Sequence, residues 1–115
     1  MEIRIIRDKI ALAKLSHMAK EGFEDMVKAV VDVEKQIMAV GGAMHADAES
    51  ELMKAGSKQD SLWGINIFPQ RDADQMIEYE SLINIRPRAD NRTMEIQDED
   101  LRGKIKEIVA RLIAT

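Results

Sequence analysis

Hydrophobic and charged residues alternate with period two at the N terminus, and a similar alternation returns in the second half of the chain. Such alternation predicts half-buried β-strands, because successive side chains of a strand point to opposite faces of the sheet. The N-terminal strand is short and places Ile3 and Ile5 on one face. In the second half of the chain, two strands are predicted. One spans 62–68, with Trp63, Ile65 and Ile67 on one face, and the other spans 76–86, with Ile77, Tyr79, Ile83 and Ile85 on one face.

The stretch from Met26 to Val40 admits two interpretations. Valine and alanine occupy every second position of its first half, which favours a strand. The charged residues at 34–36 can form a turn into a second strand at 37–40, so that the stretch predicts a hairpin. This turn lacks the Gly or Asn that hairpin turns prefer, and a continuous helix stays open as the alternative.

Three helices are predicted from apolar residues at helical spacing and from the residues that flank them. Each begins at an aspartate, whose carboxylate can accept hydrogen bonds from the free N–H groups of a first turn. The first two end at a glycine, a residue that closes helices readily. The predicted helices run over 8–21, 47–56 and from 98 onward; their caps are Asp8, Asp47 and Asp98, and the last helix buries Leu101, Ile105, Ile108, Val109, Leu112 and Ile113.

These elements give the approximate order β-α-β-β-α-β-β-α. The order predicts an α+β fold, a two-layer sandwich in which about three helices cover one face of a mainly antiparallel sheet. A chain of 115 residues has the usual length of one domain, so we expect residues 1–115 to form a single domain. Eight Met accompany only one Trp, one Tyr and two Phe, and we expect an aliphatic core.

The charge and the cysteine content limit the classes of function. The formal net charge of -4 argues against long-range attraction to nucleic acid or to anionic lipid. The chain has no Cys, so it offers neither a disulfide nor a thiolate ligand or nucleophile. No apolar run reaches the roughly 20 residues of a membrane helix. We therefore expect a cytoplasmic protein that does not bind nucleic acid or membranes and holds no cofactor.

The segment 45–49 contains three polar groups capable of proton transfer or metal ligation, directly after Gly41 and Gly42. His45, Asp47 and Glu49 share one face if the segment is extended, whereas a helix aligns only His45 with Glu49. The structural interpretation is that Asp47 caps a helix and Glu49 is a first-turn charge. A metal site usually draws ligands from more than one segment, and we expect no metal here.

Four cationic or amide side chains follow one another around Pro87: Arg86, Arg88, Asn91 and Arg92. Guanidinium groups bind carboxylates and phosphates in a two-pronged geometry, so this loop is a candidate site for an anionic ligand or an acidic partner. The structural alternative is that the arginines form ion pairs with the chain's own acids, such as Glu78, Glu80 or Asp90.

Two predicted strands carry further candidates for binding. Asn66 and Asn84 point away from the isoleucine faces of these strands, and Trp63 adjoins Gly64. Small and amide side chains on that second face could form the floor of a shallow pocket. The structural alternative is that the amides bond to nearby backbone and that Trp63 is a core residue.

The familiar catalytic motifs are absent, including phosphate-binding glycine loops, the nucleophile elbow and zinc-binding histidine pairs. We therefore predict a small binding or interaction domain, in the form of a homodimer, that recognises an anionic ligand or acidic partner through the loop from Arg86 to Arg92. The alternative is a hydrolase-like enzyme in which His45, oriented by Asp47 or Glu49, acts as a base beside an arginine anion clamp.

Three strings of the sequence together resemble a known family. They are Gly-Gly-Ala-Met-His-Ala-Asp-Ala-Glu at 41–49, Leu-Trp-Gly-Ile-Asn at 62–66, and Ser-Leu-Ile-Asn-Ile-Arg-Pro at 81–87 followed by Asn91 and Arg92. They are similar to a family of small prokaryotic proteins catalogued only as a domain of unknown function, over nearly the whole chain. The resemblance implies a one-domain, stand-alone prokaryotic protein and assigns no catalytic residue. The chain departs from the family pattern at 88–90, where Arg-Ala-Asp replaces a Ser-Gln-Gly-like loop.

Overall fold

A computed structural model describes residues 1–115. The chain forms three α-helices and seven strands, of which three have only two residues. The strands are β1 (Ile3–Ile6), β2 (Ile10–Ala11), β3 (Val27–Asp32), β4 (Ile37–Gly41), β5 (Leu62–Ile67), β6 (Ile77–Glu78) and β7 (Ile113–Ala114). The helices are α1 (Leu12–Glu21), α2 (His45–Lys54) and α3 (Glu99–Leu112).

Five strands form an antiparallel sheet in the order β1-β4-β3-β5-β6. In this sheet Ala29 pairs with Ile65 and Val30 pairs with Gly64, so neighbouring rows of side chains face opposite sides. The short strands β2 and β7 form a separate parallel pair that ties the start of α1 to the end of α3. No helix is long and apolar enough to span a membrane.

Helices cover both faces of the sheet. The larger core cluster packs α1 and α3 against the face that carries Ala29, Val31 and Ile65. A smaller cluster packs Ala48 and Leu52 of α2 against Val30 and Ala39 on the opposite face. The predicted α+β class, three helices and mainly antiparallel sheet are confirmed. The expectation that all the helices cover one face is wrong, because α2 packs against the opposite face.

The stretch from Met26 to Val40 is a hairpin, as the alternation of its valines predicted. Asp32 replaces the missing Gly or Asn of the turn. Its buried Oδ1 accepts hydrogen bonds from the N–H groups of Glu34 and Lys35, each at 2.9 Å, and its Oδ2 accepts one from the Ser57 hydroxyl at 2.6 Å. Gln36 completes the turn with a φ of 59°.

The predicted strand at 76–86 is wrong beyond its first residues. Only Ile77–Glu78 pairs with β5, and the chain then turns into a 3-10 helix at Leu82–Asn84. Asn84 therefore does not lie on a strand. The alternating isoleucines at 83 and 85 suggested a strand that pairs through its backbone. This part of the chain instead contacts the edge of β5 through the side chain of Asn84.

The ends of two predicted helices also require correction. Helix α1 begins at Leu12 because the two preceding residues form β2, so Asp8 does not cap it. Helix α2 begins at His45, which places Asp47 inside the first turn instead of at the cap. The predicted cap of α3 is confirmed, since Asp98 Oδ1 accepts from the N–H groups of Asp100 and Leu101. Residues 93–96 contribute only a single antiparallel bridge, between Glu80 and Glu95.

Candidate functional site

Residues 81–96 lie beside the part of the β5 edge that β6 leaves unpaired, and the side chain of Asn84 attaches them there. The N–H group of Gly64 donates to Asn84 Oδ1 at 2.8 Å, while Asn84 Nδ2 donates to the Gly64 carbonyl at 2.9 Å. A side-chain amide thus replaces the backbone of a neighbouring strand. Asn84 Nδ2 also donates to the carbonyl of Met94 at 3.1 Å, so that the same amide joins the two ends of the segment.

A second buried amide shapes the segment from within. Asn91 Nδ2 donates to the carbonyl oxygens of Asn84, Thr93 and Glu95 at 2.8, 3.1 and 2.9 Å. Its Oδ1 accepts from the N–H group of Gln97 at 2.9 Å. The amides of Asn84 and Asn91 therefore bond to backbone within the protein. For Asn84 this is the structural alternative to a role in binding.

Gly64 allows the segment to approach the sheet closely. A Cβ atom at this position would lie 2.5 Å from Cβ of Ser81 and 2.6 Å from its Oγ, closer than van der Waals contact permits. The glycine therefore admits residues 81–84 onto the second face of the sheet, beside α2. The segment and α2 enclose two adjacent hollows, which share Leu82 and Ile83 as a dividing wall.

The larger hollow, the arginine cleft, has a volume of about 940 Å³. Its wall carries the guanidinium of Arg86, which meets the Glu49 carboxylate of α2 at 3.3 Å. Arg86 Nε donates to the Ile83 carbonyl at 3.2 Å, and Cζ lies 4.8 Å from the centre of the Trp63 ring. The cleft is lined by Glu49, Gln59, Asp60, Leu82, Ile83, Ile85, Arg86, Pro87, Arg88 and Ala89.

Arg86 is held in an unusually enclosed position for a cation. Its side chain is 16% exposed and that of Glu49 is 12% exposed. Burial lowers the pKa of Arg86, and the neighbouring carboxylates of Glu49 and Asp60 act in the opposite direction. The Nη1 atom is buried and has no hydrogen-bond partner, so one donor group of the guanidinium is unused.

The remaining residues of the predicted arginine loop lie outside the enclosed part of the cleft. Arg88 lines the cleft with an exposed side chain. Arg92 is exposed, and its Nε lies 3.9 Å from Asp90, one of the acids considered as ion-pair partners. Trp63 belongs to the larger core cluster. It does not line the cleft, and it contacts Arg86, which does.

The smaller hollow, the histidine cavity, has a volume of about 320 Å³ and lies where the sheet extends beyond the start of α2. A polar row crosses its floor from strand to strand, because Lys28 pairs with Asn66 and Asn66 pairs with Glu78. His45, the first residue of α2, lies above this row. The cavity is lined by Lys28, Met44, His45, Ala46, Asn66, Glu78, Glu80, Ser81, Leu82, Ile83 and Met94.

The imidazole of His45 is buried and fixed by one hydrogen bond, between Nε2 and the Ile65 carbonyl at 2.8 Å. A carbonyl only accepts, so Nε2 carries a proton and a neutral ring has its lone pair on Nδ1. Burial is the main cause that lowers the pKa of His45, and the charge of Lys28 adds to it. The Ile65 carbonyl and the Asn66 side chain act in the opposite direction.

We expect the stability of the protein to fall as the pH drops through about 6.5, the ordinary pKa of histidine. The folded state resists protonation of His45, whereas the unfolded chain accepts the proton, so acid favours unfolding until the lower folded pKa is passed. Urea unfolding at pH 7.5 and 5.5 measures this loss. In H45Q the loss should shrink, because this variant removes the buried imidazole. An equal loss in H45Q would contradict the assignment.

The structure separates His45 from the carboxylates proposed to orient it. Asp47 is exposed, and Glu49 faces Arg86 in the other hollow. His45 and Arg86 line different hollows on either side of Leu82 and Ile83. A base and an anion clamp acting on one substrate must lie in one concavity, so this arrangement does not favour the alternative of a hydrolase-like site. No three acidic or histidine side chains are arranged to hold a metal ion.

The sequence did not predict that Lys28 lines a cavity or that Glu49 pairs with Arg86. Glu78 was expected as an ion-pair partner of the arginines, whereas it accepts a hydrogen bond from Asn66. The strand alternation contained part of the signal, since Lys28 and Asn66 each interrupt an apolar strand on the same face. Their meeting depends on the register between β3 and β5, which a single sequence does not specify.

The exposed apolar side chains around both hollows include Leu82 (69% exposed) and Met44 (59% exposed). The homodimer expected from the sequence stays a prediction.

Comparison with known proteins gives one match. The model of a family described as protein of unknown function (DUF5674) matches residues 4–112, which include both hollows. No curated protein and no solved structure matches the chain.

Proposed function

The chain belongs to the DUF5674 family of proteins of unknown function, and we propose that it is a small ligand-binding domain whose arginine cleft holds an anionic group. The group is a carboxylate or a phosphate, whose oxygens accept hydrogen bonds from guanidinium N–H groups. The observation that carries this proposal is the enclosed Nη1 atom of Arg86, which has no hydrogen-bond partner in the protein.

A purely structural role explains Arg86 poorly. An enclosed cation loses hydration, and its one carboxylate partner returns only part of that cost unless the remaining donors are also satisfied. Arg86 nevertheless has three fixed contacts, with Glu49, the Ile83 carbonyl and the Trp63 ring. These contacts hold the guanidinium in one orientation at the wall of a cleft, which is the arrangement of a preorganised binding group.

The rest of the cleft indicates what kind of anion it suits. Arg88 offers a second guanidinium on the same wall. Leu82, Ile83 and Ile85 supply an apolar surface beside these cations. The two arginines are balanced by Glu49 and Asp60, so a polyanion such as a nucleic-acid backbone gains no net attraction. We therefore expect a small molecule that joins one oxyanion to an apolar body.

Calorimetric titration with phenyl phosphate and benzoate tests this expectation, with benzyl alcohol as a neutral probe of similar shape. Both anions should bind more tightly than the alcohol. The variant R86Q should weaken their binding by about tenfold or more, because a hydrogen bond to a charged group contributes about 1.5–3 kcal/mol. R88Q should have a smaller effect, since that side chain is exposed to solvent.

The matched control is R92Q, which removes an exposed arginine of the same loop outside the cleft. It should leave the affinity for both anions unchanged. Equal losses in R86Q and R92Q would indicate general attraction to positive charge, and binding of benzyl alcohol as tight as benzoate would show that the oxyanion is not recognised. Either result contradicts the proposed function.

A further inference from the structure

The histidine cavity contains a second unsatisfied group, and it is an acceptor. Asn66 is 7% exposed, and its Oδ1 atom is buried without a hydrogen-bond partner. The other end of the amide is well bonded, since Nδ2 donates to Glu78 Oε1 at 2.9 Å and to the Glu80 carbonyl at 3.4 Å. Rotating the amide by half a turn would point Oδ1 at these two acceptors. The orientation is therefore fixed by chemistry, and Asn66 lines the cavity with an acceptor that the protein leaves unpaired.

Other groups of the cavity also accept hydrogen bonds or carry negative charge. A neutral His45 ring bonded through Nε2 leaves the lone pair of Nδ1 available. Glu78 and Glu80 line the same wall, so the carboxylates outnumber the single lysine. The ammonium of that lysine, Lys28, lies 5.2 Å from the centre of the Phe23 ring, which holds it by a cation–π contact.

We infer that the histidine cavity binds an ammonium or guanidinium group carried on a short aliphatic stem, with Asn66 Oδ1 as the acceptor at its floor. The N–H groups of such a ligand satisfy the buried acceptor, and its positive charge suits the two carboxylates. Met44, Leu82 and Met94 surround the cavity with exposed apolar atoms that can pack against the stem. This site uses residues other than those of the arginine cleft and does not rest on the proposed function.

One feature of the histidine cavity favours an anion instead of a cation, so the experiment includes an anionic probe. The first turn of α2 lies at the cavity without a side-chain cap, and helix N termini attract anions. The buried atom that lacks a partner is an acceptor, however, and an anion would leave it unsatisfied. We therefore expect a cation and use an anion of the same length as the competing probe.

The experiment is an NMR titration at pH 7.5 that follows the imidazole signals of His45, with n-butylammonium, butyrate and the neutral 1-butanol as probes. Butylammonium should shift these signals and bind about tenfold more tightly than either of the other probes, a difference typical of one charge-assisted hydrogen bond. Butyrate binding more tightly than butylammonium, or no shift with any probe, would overturn the inference.

Two variants test the role of the floor. N66L removes the acceptor and should weaken butylammonium binding by about tenfold. E78Q keeps an acceptor for Asn66 Nδ2 on an exposed residue, removes one charge and should weaken the binding severalfold, so it provides a test even if N66L does not fold. Unchanged affinity in E78Q, or unchanged affinity in a folded N66L, would overturn the inference.

The control variant is R86Q, which alters the arginine cleft and should leave butylammonium binding unchanged. A loss of phenyl phosphate binding without a loss of butylammonium binding in R86Q separates the two sites. Loss of butylammonium binding in R86Q would show that the cavity is not an independent site and would overturn the inference. A peptide with one central lysine, added as a further probe, tells a basic side chain of a partner from a free amine. Binding of the peptide more tightly than butylammonium supports a protein-borne ammonium, and weaker binding supports a free amine.

Discussion

Replacing Asn84 with alanine is expected to lower the free energy of unfolding by about 4 kcal/mol. The variant leaves the N–H and carbonyl groups of Gly64 without their partner at a buried sheet edge, and it removes the bond to the Met94 carbonyl. Each buried polar group left unpaired costs about 1–3 kcal/mol. Since small domains are stable by only about 5–15 kcal/mol, this loss is a large part of the total. Urea unfolding followed by Trp63 fluorescence measures it.

The control for this prediction is T93A, which removes one hydrogen bond between the exposed Thr93 hydroxyl and the Glu95 carbonyl on the same segment. It should change the stability by less than about 0.5 kcal/mol, as surface substitutions usually do. Hydrogen exchange gives a second readout, because the Gly64 amide should exchange faster in N84A than in T93A. Equal stability and equal exchange of that amide in the two variants would show that Asn84 does not attach the segment to β5.

The second large effect concerns the ion pair between Glu49 and Arg86. E49L leaves an enclosed guanidinium without its carboxylate and is expected to cost about 3 kcal/mol, the lower end of the range for broken buried pairs. The double variant E49L/R86M replaces both charges by apolar side chains of similar size. It should recover most of the lost stability, because a buried ion pair often contributes little more than an apolar contact.

The single variant R86M completes the double-mutant cycle and isolates the interaction between the two side chains. All four proteins are compared by urea unfolding at the same pH and salt concentration. If E49L/R86M is less stable than E49L, the guanidinium contributes more through Trp63 and the Ile83 carbonyl than through Glu49. That result would give Arg86 a structural role and weaken the argument for a binding group.

Much of the fold could be predicted because it is encoded locally. Val27, Ala29 and Val31 of β3 occupy every second position. The acidic cap of α3, Asp98, lies directly before the apolar stripe of that helix. Such patterns need only the spacing of side chains along the chain. The start of α2 could not be predicted from local spacing. Its first residue, His45, is buried and bonded to the carbonyl of Ile65, which is 20 residues away along the chain. The aspartate that looked like the cap then lies within the helix.

The two hollows were less predictable than the fold, because they too depend on contacts between segments that are distant in sequence. The loop of arginines was visible in the sequence, and so were His45 and Glu49, but their division between two hollows depends on tertiary contacts. The isoleucines at 83 and 85 alternate as in a strand. The side chain of Asn84 makes the two hydrogen bonds to Gly64 that the backbone of a neighbouring strand would otherwise make. An amide that replaces a strand leaves no periodic signal. The unpartnered atoms of Arg86 and Asn66 likewise depend on three-dimensional enclosure.

Arg86 is proposed to serve the binding of an oxyanion and not the stability of the fold. The most direct test is calorimetric titration of phenyl phosphate into the wild-type protein and into E49L/R86M, which the cycle above predicts to be comparably stable. We expect saturable binding to the wild-type protein and none to the double variant. Equal affinities in the two proteins would contradict it, because the cleft would then bind the anion without its arginine.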